Sequence, residues 1–109
     1  MPPVAKSILN DANGDIISIR AQKMPQVSRF YGIVIYMYCG DHPPPHFHAH
    51  YGRHRAQVQI DPLGLLAGQL PPRILAMVVE WAALHRDQLL ANWELVQDNL
   101  TPNEIEGLP

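Results

Sequence analysis

The sequence predicts an α+β domain: a small antiparallel sheet of three to four strands packed against a C-terminal helix or kinked helix pair. β-Branched and aromatic residues fill positions 27–39, and apolar and polar residues alternate through positions 55–60. Helical spacing of apolar residues begins at about position 70. The chain has 109 residues, a length that allows one hydrophobic core but not two. Hydrophobic residues make up 47 %, which is enough for the chain to fold on its own.

Residues 1–23 are predicted to be an N-terminal extension, separate from a single domain over residues 24–109. Residues 7–11 and 15–19 flank Ala12-Asn13-Gly14, and Asn-Gly is a strong hairpin signal. A lone hairpin is marginally stable in water. We therefore expect an extra hairpin that either packs on the main sheet or stays mobile.

The domain is predicted to open with one strand within residues 27–39, where both faces are apolar, as in a strand covered on both sides. Gly32 interrupts this stretch and indicates a bend or bulge. Residues 40–45 are predicted to form a loop, because three successive prolines lack backbone donors and hold an extended path.

Two further strands are predicted at residues 46–51 and 55–60, joined by a tight turn at Gly52-Arg53. Asp61-Pro62-Leu63-Gly64 indicates the next turn, with proline at its second position. Residues 65–69 are predicted to add a short edge strand.

The helical region is predicted to begin at Pro71-Pro72, because proline is tolerated in a first helical turn. Asp87 is a candidate cap for a second segment, so we expect a kink near His85-Arg86. Pro102 ends the pattern. The apolar stripe is predicted to be ordinary core, and comprises Leu70, Ile74, Met77, Val78, Trp81, Leu84, Leu89, Trp93, Val96 and Leu100.

Charge is distributed unevenly along the chain. Residues 1–55 carry six Lys/Arg and three Asp/Glu, a net charge of +3. Residues 56–109 carry two Lys/Arg and seven Asp/Glu, a net charge of −5. This dipolar pattern favours docking of the helix on the sheet; head-to-tail pairing of copies and a charged partner are the alternatives. A formal net charge of −2 argues against broad nucleic-acid binding.

The predicted location is the cytoplasm. The longest apolar run, residues 33–39, is far shorter than the roughly 18 residues of a membrane span, and we find no signal-peptide pattern. The single cysteine, Cys39, excludes an internal disulfide and fits a reducing compartment.

The distinguishing feature is a row of histidines. Residues two apart on a strand point to the same side, so His46, His48 and His50 lie in a row with Cα atoms about 6.6 Å apart. Two imidazoles at this spacing can bind one divalent ion, whereas a third ligand comes more easily from elsewhere. The predicted metal ligands are His46, His48 and His42, with supporting candidates Asp41, His50, Cys39, Glu80 and His85. Zinc, iron and manganese all suit such donors.

Other interpretations of the histidine row stay open. It could be a solvent-facing polar strand, or a pH-responsive surface, because an unperturbed histidine titrates near pH 6.5. Basic residues nearby are candidate nucleic-acid contacts: Arg29, Arg53, His54 and Arg55.

The string His46-Phe47-His48-Ala49-His50-Tyr51 resembles the histidine-triad signature of nucleotide hydrolases and transferases. This resemblance implies a phosphoryl-transfer enzyme in which His48 attacks an α-phosphate and His46 and His50 assist it. It covers six residues only, and the upstream helix and phosphate-contacting segment of those enzymes are not recognisable.

A wider resemblance runs from Met24 onward. Segments such as Ser28–Ile35, Pro44–Ala49 and Asn92–Glu94 occur in the order seen in the bacterial family called domain of unknown function 4160. The resemblance implies a cytoplasmic protein without established activity, often encoded beside another small protein, as in toxin–antitoxin pairs. His50 stands where members often carry an acidic residue, and either side chain can bind metal.

The leading prediction is a binding module with a His-lined, metal-dependent site that acts with a small protein partner encoded nearby. A component of a toxin–antitoxin-like pair and a histidine-triad-like enzyme are the alternatives. Homo-oligomers and nucleic acid stay open as partners, a membrane is not expected, and catalysis is undecided.

Overall fold

The computed structural model describes residues 24–109 and has an α+β fold. Five antiparallel strands form one sheet in the order of the chain, and two helices follow. The elements are β1 (Gln26–Phe30), β2 (Ile33–Tyr36), β3 (His46–Tyr51), β4 (His54–Ile60), β5 (Leu63–Gly68), α1 (Pro72–Leu84) and α2 (Arg86–Gln97). The predicted fold class is confirmed, with more strands than the expected three to four. The hairpin predicted in residues 1–23 lies outside the described residues.

The additional strand arises because residues 27–39 do not form one strand. A two-residue turn at Tyr31-Gly32 separates β1 from β2, and Phe30 pairs with Ile33 across it. Both turn residues have positive φ, 49° at Tyr31 and 79° at Gly32, as in a type I′ hairpin turn. A tyrosine rarely adopts this conformation, so the sequence indicated a bend instead of a hairpin.

The two faces of the sheet differ in composition. Phe47 and Ala49 of β3 are fully buried against the helices, and Trp81 of α1 packs edge-on to Phe47 with ring centroids 5.7 Å apart. The predicted alternation in β4 is confirmed, since Ala56, Val58 and Ile60 are all buried. The opposite face carries the histidines of β3 and the polar side chains of β4 that pair with them.

The helical region breaks where the sequence predicted a kink. α1 ends at Leu84, His85 lies between the helices, and α2 begins at Arg86. Asp87 is not the cap of α2; it lies in the first turn, where its charge favours the helix N-terminus. α2 ends at Gln97, so Leu100 lies beyond it and is 52 % exposed. Neither helix is long and apolar enough to cross a membrane.

The C-terminal tail closes the core by returning to β1. The backbone N–H of Ile105 donates to the carbonyl of Val27 at 2.8 Å, and the indole N–H of Trp81 donates to the carbonyl of Glu106 at 2.8 Å. The amide side chain of Asn92, 1 % exposed, bonds both the N–H and the carbonyl of Asn103 at 2.8 Å. Asn92 therefore holds the tail.

Candidate metal centre

Three polar side chains converge where the loop after β2 meets the start of β3. Asp41 lies in the loop, and His46 and His48 are the first and third residues of β3. One atom from each, a carboxylate oxygen or a ring nitrogen, lies within 4.8 Å of the other two. Oδ2 of Asp41 is 3.0 Å from Nε2 of His46 and 2.9 Å from Nε2 of His48.

The three side chains are shielded from solvent. The side chains of Asp41, His46 and His48 are 12 %, 3 % and 13 % exposed, respectively. The ring of His46 packs 5.4 Å from that of Trp93 in α2, and the ring of His48 stacks on Tyr38 at 4.1 Å. Charged and polar groups at this depth are normally paired or bound to metal.

His46 is held by its backbone neighbour. Its Nδ1 lies 2.7 Å from the carbonyl oxygen of Pro44, and since a carbonyl can only accept, Nδ1 carries the proton. In a neutral ring Nε2 then presents a lone pair. This Nε2 is buried and has no hydrogen-bond partner among residues 24–109, although Oδ2 of Asp41 is only 3.0 Å away.

The loop that carries Asp41 is fixed by the end of α2. The N–H of Gly40 donates to the carbonyl of Val96 at 3.0 Å, and the Gln97 side chain donates to the carbonyl of Asp41 at 2.6 Å. The backbone N–H of His42 donates to Oδ1 of Asp41 at 3.0 Å. The contacts that Tyr38, Trp93 and Gln97 make at this site were not predicted from the sequence.

The electrostatics of the site favour an ionised Asp41. Burial raises the pKa of this carboxyl, but the hydrogen bond from His48 and the electrostatic interaction with both histidines lower it. The N–H of His42 acts in the same direction, so the pKa of Asp41 lies below its usual value. The group therefore offers a carboxylate to a cation.

The remaining predicted ligands on the loop and strand, His42 and His50, do not belong to the converging group in residues 24–109. His42 is 91 % exposed, and its Nδ1 is 3.2 Å from the other carboxylate oxygen of Asp41. His50 packs on Tyr36 with ring centroids 4.7 Å apart. Burial lowers the pKa of His50, and Arg55 and His48 lower it further.

The candidates on the helices also lie apart. His85 donates from Nδ1 to the Gln88 side chain at 2.6 Å and packs against Trp81. Glu80 is exposed on α1, and Cys39 is half-buried against the core. None of the three belongs to the converging group in residues 24–109.

The basic candidates are spread over the sheet. Arg29 is exposed on β1, and Arg53 is exposed in the turn between β3 and β4. Arg55 on β4 pairs directly with His50 on β3. Arg55 also lines a depression of about 460 Å³ beside His48, which nothing in the sequence indicated.

The comparisons with known proteins agree with the resemblance read from the motifs. The family model for Domain of unknown function (DUF4160) matches residues 32–94, and the chain belongs to this family. Searches of curated proteins and of solved structures found no significant match. The matched segment contains Asp41, His46 and His48 together with most of the helices.

Proposed function

We propose that this domain is a metal-binding module that holds one divalent transition-metal ion through Asp41, His46 and His48. The observation that carries the proposal is Nε2 of His46. It is buried, it has no hydrogen-bond partner in the described part of the chain, and it lies 3.0 Å from a carboxylate oxygen of Asp41. A buried ring nitrogen whose lone pair has no partner is unfavourable this close to an anion unless a proton or a metal ion lies nearby.

The support of His46 is typical of a metal ligand. Histidines that bind metal usually donate their other ring N–H to a carbonyl or carboxylate, which fixes the tautomer and the ring orientation. The bond from Nδ1 of His46 to the carbonyl of Pro44 at 2.7 Å has this form. Asp41 has similar support from the N–H of His42 and from Gln97.

The distances from the Asp41 carboxylate to the two histidines fit one ion after a small adjustment. Ligands about 2.1 Å from a metal are separated by roughly 3.0 Å at right angles and roughly 3.4 Å in a tetrahedron. The separations of Asp41 Oδ2 from the two Nε2 atoms are 3.0 and 2.9 Å. Nε2 of His48 would lose the proton that it donates to Asp41 when it binds the metal ion.

The donor set limits the choice of metal. Two imidazoles and one carboxylate suit zinc, ferrous iron or manganese. These metals bind four or more ligands, so three protein ligands leave coordination positions for water or another ligand.

The arrangement of the histidines favours a metal site over the histidine-triad interpretation. Nε2 of His48 is engaged by Asp41, and His50 packs on Tyr36 apart from the other two histidines.

We expect the untagged protein to bind one zinc, iron or manganese ion per chain, and Asp41→Asn to weaken binding at least about 10-fold because the anionic ligand is lost. Isothermal titration calorimetry with each metal measures the affinity. His48→Ala should weaken binding similarly. Metal at 100 times its dissociation constant should stabilise the protein by about 2.7 kcal/mol.

His54→Ala is the matched control, since His54 is exposed on β4 and lies outside the converging group. Asp41→Asn changes few atoms, and circular dichroism checks that it folds. Absence of binding for all three metals, or equal binding by Asp41→Asn and His54→Ala, would contradict the proposal.

A further inference from the structure

We infer that the depression beside the metal site binds a small organic oxyanion, whose charged group is shared between the metal and Arg55. This inference rests on the proposed metal site. The depression has a volume of about 460 Å³, within the range of about 300–1,000 Å³ usual for small-molecule sites. It is lined by Tyr38, His48, His50, Arg55, Ala56, Gln57, Ala67 and Gly68.

The depression is joined to the metal site through one side chain. Nε2 of His48 contacts Asp41 at 2.9 Å, and the same residue forms part of the lining. Asp41 and His46 are not among the lining residues, so a ligand in the depression would reach the ion along the ring of His48. Because the protein supplies three ligands, a coordination position can pass to that ligand.

The charge of the lining selects an anion. Arg55 is the one permanent cation among the lining residues, and none of them is Asp or Glu. Arg55 Nη1 donates to the carbonyls of Gly52 and His54 at 2.8 and 2.9 Å, which fixes the guanidinium group. Its Nε and Nη2 have no hydrogen-bond partner among residues 24–109. A guanidinium fork of this kind matches the oxygens of a phosphoryl or carboxylate group.

The rest of the lining suits the organic part of the ligand. Gln57 pairs with His48 across β3 and β4 and supplies amide donors and an acceptor. Ala67 and Gly68 on β5 leave room above the sheet, and the Tyr38 ring forms an apolar wall. The chemical class is thus a small phosphoryl or carboxyl compound with an uncharged body.

The test uses Co²⁺ as a probe of the site, since its visible absorption reports its coordination. Methylphosphonate and acetate are titrated separately into the Co²⁺-loaded protein, so that the two experiments distinguish phosphoryl from carboxyl recognition. We expect at least one anion to change the spectrum and to bind about 10-fold more weakly to Arg55→Gln, with Co²⁺ affinity unchanged. Arg53→Gln removes the same charge from an exposed turn residue outside the depression, and should bind as the wild type does.

The outcomes separate the two proposals. Loss of anion binding in Arg55→Gln, but not in Arg53→Gln, supports the oxyanion site. Normal Co²⁺ binding with no anion response, or with equal anion affinity in both variants, overturns the oxyanion site and leaves the metal site standing. Failure to bind Co²⁺, zinc, iron or manganese overturns the metal site and with it this inference.

Discussion

Replacement of Gly68 by alanine is expected to destabilise the domain by about 3 kcal/mol or more, one of the two largest effects of a single substitution that we predict. Gly68 ends β5 with φ of +77°, and a Cβ there would lie 2.2 Å from the backbone oxygen of Arg55 and 3.0 Å from the Cα of Ala56. Both neighbours belong to the backbone of β4, so neither can rotate away. β5 would have to separate from β4 at this end.

Gly40→Ala is the control, because it separates backbone strain from collision. Gly40 has φ of +74°, but a Cβ there meets no atom of residues 24–109 within 4 Å. Strain alone should cost about 1–2 kcal/mol, whereas overpacking against a fixed backbone adds about 1–3 kcal/mol at Gly68. Urea denaturation of metal-free protein measures both. Equal losses of stability in the two variants would show that a Cβ at position 68 does not collide with the backbone of Arg55, and would contradict the prediction.

The fold was predictable wherever one local signal decided the structure. The alternation in residues 55–60 indicated which side chains of β4 face the core, and Ala56, Val58 and Ile60 are buried there. The helix break was predicted from Asp87 as a cap, and it lies at His85 as expected, although Asp87 is in the first turn of α2 and is not the cap. The hairpin at Tyr31-Gly32 was not predictable in the same way, because tyrosine gives no signal for positive φ and tertiary contacts select the conformation.

The site was predictable only as far as strand geometry reaches. Residues two apart on β3 had to share a side, which placed His46 beside His48. The burial of His46 and the position of Asp41 depend on α2. Trp93 packs on His46, and Gln97 and Val96 hold the loop that carries Asp41. Those contacts join segments about 50 residues apart in sequence, so no local pattern reports them. The choice of Asp41 over the exposed His42 follows from this packing.

The same dependence on α2 links the site to the C-terminal tail. Trp93, Val96 and Gln97 of α2 contact His46 or the loop that carries Asp41. Asn92, next to Trp93 in the same helix, bonds the C-terminal tail. The tail in turn bonds to β1 through Ile105 and to α1 through Trp81. The position of α2, and with it the enclosure of His46, therefore depends on how well the tail is held.

Asn92→Ala is accordingly expected to destabilise the domain by about 2–4 kcal/mol, because it removes two buried hydrogen bonds and leaves a cavity in the core. Asn92 is 1 % exposed and bonds the backbone N–H and carbonyl of Asn103, both at 2.8 Å. The Ile105 amide should exchange with solvent faster, since its bond to Val27 lies on the released tail. Urea denaturation and amide hydrogen exchange measure the two effects.

Asn103→Ala provides the matched control for this prediction. Asn103 is exposed and bonds Asn92 through its backbone, which alanine retains. We expect a change within about 0.5 kcal/mol and unaltered exchange at Ile105. Equal losses in Asn92→Ala and Asn103→Ala would show that the side chain of Asn92 does not hold the tail. A large loss in Asn92→Ala alone, with weaker metal binding, would show that the tail supports the metal site through α2.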